Sequence, residues 1–232
     1  MTEDCKVLSQ THRLLDRKHS TQLVSLIDKI LKKAGLPLKK LDGFCINKGP
    51  GSFTGLRIGI TTVKGLAFVL QKPVVAIPSM DILAQNARPV INRRFYNGVK
   101  KIKAEKSRGH PLQICPIVDA KQNKVYTCLY QSKNGKIVRK SRYLLLPVEE
   151  LLKRLKGEII FLGDAIPLYH EVICANRRIK PVFVEEKFWY PRASATVPLA
   201  LEYFRRGKFE NVNRLAPLYL YPKECQIRNR RK

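Results

Sequence analysis

NKGPGSFTGLRIGITTVKGLAFVL, residues Asn47 to Leu70, is the part of this chain that carries the most structural information. Its opening turn is Gly49-Pro50-Gly51-Ser52-Phe53-Thr54-Gly55, preceded by a short apolar strand, LDGFCIN (41–47), and followed by a helix over about 54–71. Backbone N–H groups at such a helix start can hold an anion. The turn is neither a P-loop, which needs GK[ST], nor a Rossmann fingerprint, because its glycines fall at 49, 51 and 55. Within the helix Leu56, Ile60, Val63, Ala67 and Leu70 line one side, while Ile58, Leu66 and Val69 cover another. Gly55, Gly59 and Thr62 permit close approach. A helix apolar nearly all round is buried on two sides. One side faces its own sheet; the other needs a neighbouring helix of the same chain or a partner.

The flanking segments extend this into an α/β lobe. Leu23, Ile27, Ile30 and Leu31 mark one face of a helix over 20–34, with Lys32 and Lys33 at its negative end and Gly35 placed to end it. PVVAI (73–77) reads as a second strand, after which Ser79 is expected to cap a short helix through Gln85. The alternation restarts with three strand-like runs, QICPIVDA, KVYTCLYQ and KIVRKSRYLLL, with turn chemistry at KQN and SKNG. Pro147 opens a helix with Glu149 and Glu150 in its first turn. EIIFLG, a helix around 166–176, PVFV, a helix near 195–206 and an extended PLYLYPKEC complete the pattern. The expected organisation is an N-terminal α/β lobe over 1–88, a basic linker over 89–111, and a C-terminal α/β lobe over 112–232 that includes the closing helix and a basic tail.

Composition sets the outer limits. The chain has 232 residues, about one and a half nominal ~150-residue domains. Its apolar share, 44%, excludes wholesale disorder. No uninterrupted apolar run approaches the ~18–20 residues that span a bilayer, and MTEDCKVLSQTHR lacks a signal peptide's apolar core; a cytoplasmic protein without membrane attachment is expected. The cysteines at 5, 45, 115, 128, 174 and 225 form no CxxC pair and are expected to be reduced. The histidines at 12, 19, 110 and 170 show no HxxxH or HExxH spacing, so no metal site is expected. No base–nucleophile pair accompanies Ser52. Asp119 and Asp164 each follow an apolar strand, where a carboxylate serves either chemistry or turn and helix capping. Lys and Arg outnumber Asp and Glu by 45 to 18, a net charge of +27. Such a field draws polyanions, nucleic acid first, or belongs to a solvated basic surface. Arg88 to His110 holds eight Lys or Arg against Glu105 alone, and RNRRK closes the chain. Arg93, Arg94, Lys100, Lys101 and Lys103 are the candidate contacts for such a polyanion.

At NKGPGSFTGLRIGITTVKGLAFVL and KPVVAIPSMDILAQNA the chain resembles the TsaB (YeaZ) family. The family motif turn corresponds to Gly49, Pro50, Gly51, Ser52, Phe53, Thr54, Gly55 and Arg57. His19-Ser20, PIVDAKQNKVY, FLGDAIPLY, WYPRASATVPLA and APLYLYPKE resemble further segments of that family, so the likeness covers most of the chain. The resemblance implies a two-lobed actin-like (Hsp70-like) α/β fold. It also implies a non-catalytic subunit of the machinery that forms threonylcarbamoyladenosine beside the tRNA anticodon. In that family the catalyst is the related TsaD, which holds the metal, and TsaE is an ATPase. No cofactor is expected in this subunit itself; ATP and metal belong to its partners. Pairing with a TsaD-like subunit would run through the helices at 20–34 and 54–70, with Leu23, Ile27, Gly55, Leu56, Gly59, Ile60, Val63 and Ala67 as interface candidates. Homodimerisation without the partner stays open.

Two departures stand against the family pattern. Its usual opening strand, resembling ILAIDTS, has no counterpart here, and CKVLSQ matches a later hairpin strand, so the first strand of the N-terminal lobe is expected to be missing. Nucleotide binding by the lone chain is therefore expected to be weak or absent. The second departure is the basic insert before QICPIVDA. It gives an alternative function, a module that binds tRNA directly, although no aromatic-rich motif for base readout accompanies it.

Overall fold

The computed structural model describes residues 2–3, 6–12, 19–91, 112–133 and 135–221. The chain forms two units. One takes in the described residues up to Ile82 together with Pro191–Leu218, and the other Leu83–Tyr190 with the described residues from Tyr219. The 89–111 linker falls almost wholly outside the described residues, as do the tail and the candidate tRNA contacts Arg93, Arg94, Lys100, Lys101 and Lys103.

The first unit begins with two short antiparallel strands, β1 (Thr2–Glu3) and β2 (Lys6–Val7), in line with the hairpin reading of CKVLSQ. Helix α1 (His19–Ala34) follows and ends at Gly35 in the left-handed conformation, φ 64°. Strand β3 (Phe44–Asn47) pairs in parallel with β4 (Val74–Ile77), Phe44 opposite Val74, and helix α2 (Phe53–Leu70) makes the crossover. Every residue of β4 is buried because both faces of this layer are covered. Val74 and Ala76 pack with Ile60, Ala67 and Leu215 on the α2 side. The alternate residues Val75 and Ile77 pack on the other side with Ala195, Leu199, Ala200, Tyr203 and Phe204 of α6 (Ala193–Arg205). The closing helix, expected with the C-terminal lobe, thus belongs to the first unit. Helix α3 (Ser79–Asn86) starts after β4. Ser79 does not cap it; its hydroxyl donates to Asn47 Oδ1 (2.7 Å), tying the ends of β3 and β4 together.

The second unit is built on a seven-stranded sheet. β5 (Gln113–Asp119) lies at its centre, parallel to β10 (Gly157–Leu162), which is parallel to β11 (Ile179–Phe183). On its other edge β5 pairs antiparallel with both β6 (Lys124–Thr127) and β7 (Tyr130–Lys133). β8 (Lys136–Arg139) pairs with β7, and β9 (Leu144–Pro147) with β6. The three expected strand runs are therefore five strands. KVYTCLYQ breaks at Cys128-Leu129, where the Leu129 N–H leaves the ladder for the Ser141 hydroxyl (2.9 Å). Helices α4 (Val148–Lys153) and α5 (Ile166–Ala175) pack on the sheet, and Phe161, Leu151, Leu155, Ile159 and Ile173 are fully buried in the core between them. PLYLYPKEC forms no strand through Tyr221, where the described residues stop.

Candidate functional site

The motif turn and α2 form one piece. Ser52 caps α2, its hydroxyl accepting the Gly55 N–H at 3.3 Å. Asn47 Oδ1 accepts the Gly49 N–H (2.9 Å), and the Gly49 carbonyl accepts the Ser79 N–H (2.8 Å). Pro50 follows Gly49 through a cis peptide bond. A Cβ at Gly49 would lie 2.7 Å from Leu56 Cδ1, so the turn sits directly on the helix it starts. The side chain of Arg57 stacks over the Phe53 ring at 3.8 Å. Lys48 reaches Glu210 (2.8 Å), and Lys64 donates to the Asn213 carbonyl (3.1 Å), anchoring the closing segment. These bonds make the turn a structural joint.

Helix α2 has three differently occupied faces. Its inner face carries Ile60 (3% exposed) and Ala67 in the core, with Val63 packed against them. Gly59 faces β3, since a Cβ there would meet Ile46 Cδ1 at 3.3 Å. Ile60 and Ala67 are therefore core positions with Val63 packed against them, which corrects their expected place on a partner face, while Leu56 and Gly59 are half-buried. A helix apolar all round does not reveal from sequence which side meets its own sheet. Gly55 lies at the capped end.

The uncovered sides are elsewhere. Val69 is 77% exposed and Phe68 66%. Thr62 and Leu66 form one wall of an apolar groove of about 540 Å³, whose other wall is Val24, Ile27 and Leu31 of α1 with Leu36, Pro37 and Leu38 beyond its end. Val24, at 65% exposure, is open to solvent. Of the eight expected interface residues, Ile27 lines this groove and Leu23 is half-buried on α1. The groove makes few polar demands. Thr62 donates its hydroxyl to the Ile58 carbonyl (2.9 Å), and Asp28 pairs with Lys32 (2.8 Å). Val24, Leu31, Leu66, Phe68 and Val69 are not among the expected interface residues, although the second apolar side of α2 includes Leu66 and Val69. By length and mean hydropathy (1.4) α2 is long and apolar enough to cross a membrane, although it holds no uninterrupted apolar run of that length. It carries Arg57 and Lys64, however, and its inner face builds a protein core.

The remaining candidates are structural. Asp164 Oδ1 accepts the Asp119 N–H (3.0 Å), and Asp119 accepts both the backbone N–H and the ammonium of Lys121. Burial raises the Asp164 carboxyl above the usual range. Burial also opposes charge on Asp119, but the bonds and charge of Lys121 outweigh it and hold that carboxyl below the usual range. Together they brace the turn at Lys121, Gln122 and Asn123, all with positive φ. Among the described residues no three of His, Cys, Asp and Glu converge as a metal site.

The cysteines give a chemical check of this packing. Burial pushes the Cys45 and Cys115 thiols up to about 12, whereas Cys174 is exposed on α5 beside His170 (3.8 Å). Iodoacetamide at pH 8 should label Cys174 and spare Cys45 and Cys115 until the chain is unfolded, read by peptide mass spectrometry. Because the folded values lie above the unfolded ones, the two buried thiols favour the fold below about pH 8.5. That contribution is lost progressively as pH rises toward 12.

A family profile described as TsaD, tRNA N6-adenosine threonylcarbamoyltransferase, matches residues 10–227. The tRNA threonylcarbamoyladenosine biosynthesis protein TsaB of Bacillus subtilis (strain 168) is 31% identical over 170 residues, 72% of this chain and 66% of that protein. TsaB of Escherichia coli (strain K12) is 26% identical over 230 residues, 94% of this chain and 90% of that protein. The solved structure of YeaZ from Pseudomonas aeruginosa superposes with a TM-score of 0.69 at 26% identity, covering 90% of this chain and 87% of that one.

Proposed function

Because the chain belongs to the TsaD-type family and, within it, to the TsaB (YeaZ) proteins with their actin-like α/β fold, we propose that it is the accessory subunit of a tRNA threonylcarbamoyladenosine complex. In this reading it has no catalytic constellation of its own and pairs with a TsaD-like transferase through the α1–α2 side of its first unit. The observation that carries the reading is the apolar groove between α1 and α2 together with the exposed Val24, Phe68 and Val69, surface that water does not favour and that a partner would cover. The metal and ATP would be handled by TsaD-like and TsaE-like partners, in the cytoplasm, with tRNA reaching the chain through the complex.

The test combines association with product. The TsaD-like protein of the same organism should co-purify with this chain. Removing the chain from cells should deplete threonylcarbamoyladenosine in tRNA hydrolysates by mass spectrometry. The chain alone, given tRNA and activated threonylcarbamoyl donor, should form none. Product formed by the lone chain, or no association with the TsaD-like protein, would overturn the reading. The net charge of +27 favours a second reading, direct tRNA binding by the basic surface. Retention of tRNA by the lone chain, falling steeply between 50 and 200 mM salt, would support it.

A further inference from the structure

We propose that the end of the second unit's sheet where β5, β10 and β11 begin is a docking surface for the phosphate backbone of tRNA. This deepens the second reading above, direct binding by the basic surface, and rests on it.

The topology builds the surface from turns far apart in sequence. β8, β7, β5, β10 and β11 are successive neighbours in the sheet. β10 and β11 run parallel to β5 and β7 runs against it, with Gln113 opposite both Ile159 and Gln131. The β7–β8 turn, flanked by Lys133 and Lys136, therefore lies at the same end as the starts of β10 and β11. The approach to β10 brings Lys153, Arg154 and Lys156 there, and the approach to β11 brings Arg177 and Arg178, with Lys180 just inside the strand. The Arg178 guanidinium donates to the Lys153 carbonyl (3.3 Å), and the Arg178 carbonyl accepts the Gly157 N–H (3.0 Å), which locks two of these turns together. Gln113 ties the start of β5 to them by donating to the Lys156 carbonyl (3.3 Å). At ~4.8 Å between neighbouring strands, the surface extends over ~19 Å.

The charge gathered there is largely uncompensated. All of these Lys and Arg residues are exposed. Arg154 pairs with Glu150, and none of the others has an ion-pair partner among the described residues. The stretches 132–142, 153–157 and 176–180 contain no acid, and Glu158, half-buried in β10, is the carboxylate that follows. Lys133 and Lys136 stand directly opposite each other in the ladder, a like-charge pair that costs stability and that a bound anion relieves.

RNA suits this surface better than other polyanions. Its breadth fits a row of phosphates and exceeds what one small anion needs. The apolar residues of these turns, Leu155 and Ile179, are buried, so the turns offer nothing to insert into an anionic membrane. None of the three stretches holds an aromatic residue to stack on a base, so the contact positions tRNA without reading its sequence.

The experiment measures binding of a fluorescent, unmodified tRNA transcript to the full chain alone, by anisotropy at 50 and 200 mM salt. Lys153→Glu with Lys156→Glu and Arg177→Glu leaves the Arg178 clamp in place, so its circular dichroism should match the wild type. Its affinity should fall about tenfold or more at 50 mM, and log affinity should depend less steeply on log salt. Lys39→Glu with Lys40→Glu and Arg214→Glu makes the same charge change at exposed positions of the first unit and should lose no more than about threefold. Transcripts of two unrelated tRNAs should bind alike. Equal losses in the two triple variants would assign binding to the overall field and overturn the proposal. Wild-type affinity in the first variant would also overturn it, while direct binding by another part of the chain would stand. A wild-type chain that retains no tRNA at 50 mM would sink the direct-binding reading itself, and the proposal with it. Loss of TsaD-like capture by the first variant with tRNA binding intact would give the surface to a protein. Binding of phosphatidylserine vesicles in place of tRNA would give it to a membrane, and either result refutes the proposal.

Discussion

Gly163→Ala should not accumulate as folded protein. Gly163 joins β10 to the turn before α5 with φ 121°, a region that side chains rarely adopt. A Cβ there would stand 2.0 Å from the Ile117 carbonyl oxygen and 2.9 Å from its carbon. Those atoms belong to β5, the central strand of the sheet, and cannot give way as a flexible side chain would. The neighbouring Ala165 and Ile166 are buried in the core of the second unit, so the turn cannot swing outward without opening that core. Conformational strain of ~1–3 kcal/mol and a backbone clash together exceed ~4 kcal/mol, an exceptional loss for one methyl group. Gly135→Ala is the matched control, since Gly135 also has positive φ (70°) but a Cβ there meets nothing within 4 Å. It should cost about 1 kcal/mol. Urea denaturation followed by circular dichroism separates the two. A Gly163→Ala protein with a near-wild-type midpoint would mean that the turn is placed wrongly.

A second contrast falls on α2, where one helix serves two purposes. Ile60→Asp should unfold or severely destabilise the first unit, because a carboxylate would replace a side chain packed among Val74, Ala76 and Leu215 with no cation to pair with in that cluster. A buried, unpaired charge of this kind costs several kcal/mol. Phe68→Asp with Val69→Asp, at positions 66% and 77% exposed, should leave the melting transition within a few degrees of the wild type and weaken capture of the TsaD-like protein more than tenfold. The two variants read the same helix from opposite sides. Equal losses of stability would show that the outward face is covered by the chain itself, and unimpaired capture would move the interface away from the end of α2.

Much of the fold was legible in the sequence. Regular spacing located α1, α2 and the strands, PVVAI among them. The places where reading failed have physical causes. KVYTCLYQ and KIVRKSRYLLL are each long enough for one strand, and their division depends on Ser141 taking a ladder N–H from another part of the chain, which no local pattern records. The closing helix was assigned to its sequence neighbours, whereas Ala195, Leu199 and Phe204 find their partners on β4, more than a hundred residues earlier. Ile60 and Ala67, expected to face a partner, lie instead in the core of the first unit. Small residues such as Gly59 permit close packing, and in this chain the close neighbour is Ile46 of the same unit.

That return of the closing segment has a consequence for synthesis. The first unit needs Ala200 and Leu215 to complete its cores, yet the chain leaves that unit at Ile82 and re-enters it at Pro191. On a ribosome adding ~5–20 residues per second, the interval between Ile82 and Leu215 lasts roughly ten seconds. Throughout it the inner face of α2 lacks Leu215 and the α6 side of β4 has only Ile82 and Cys45 against it. The buried cluster of the second unit, by contrast, draws on Cys115 to Ile179 alone and can close earlier. The usual N-to-C order of maturation is thereby inverted, and the part of the nascent chain most in need of chaperone shelter is its beginning.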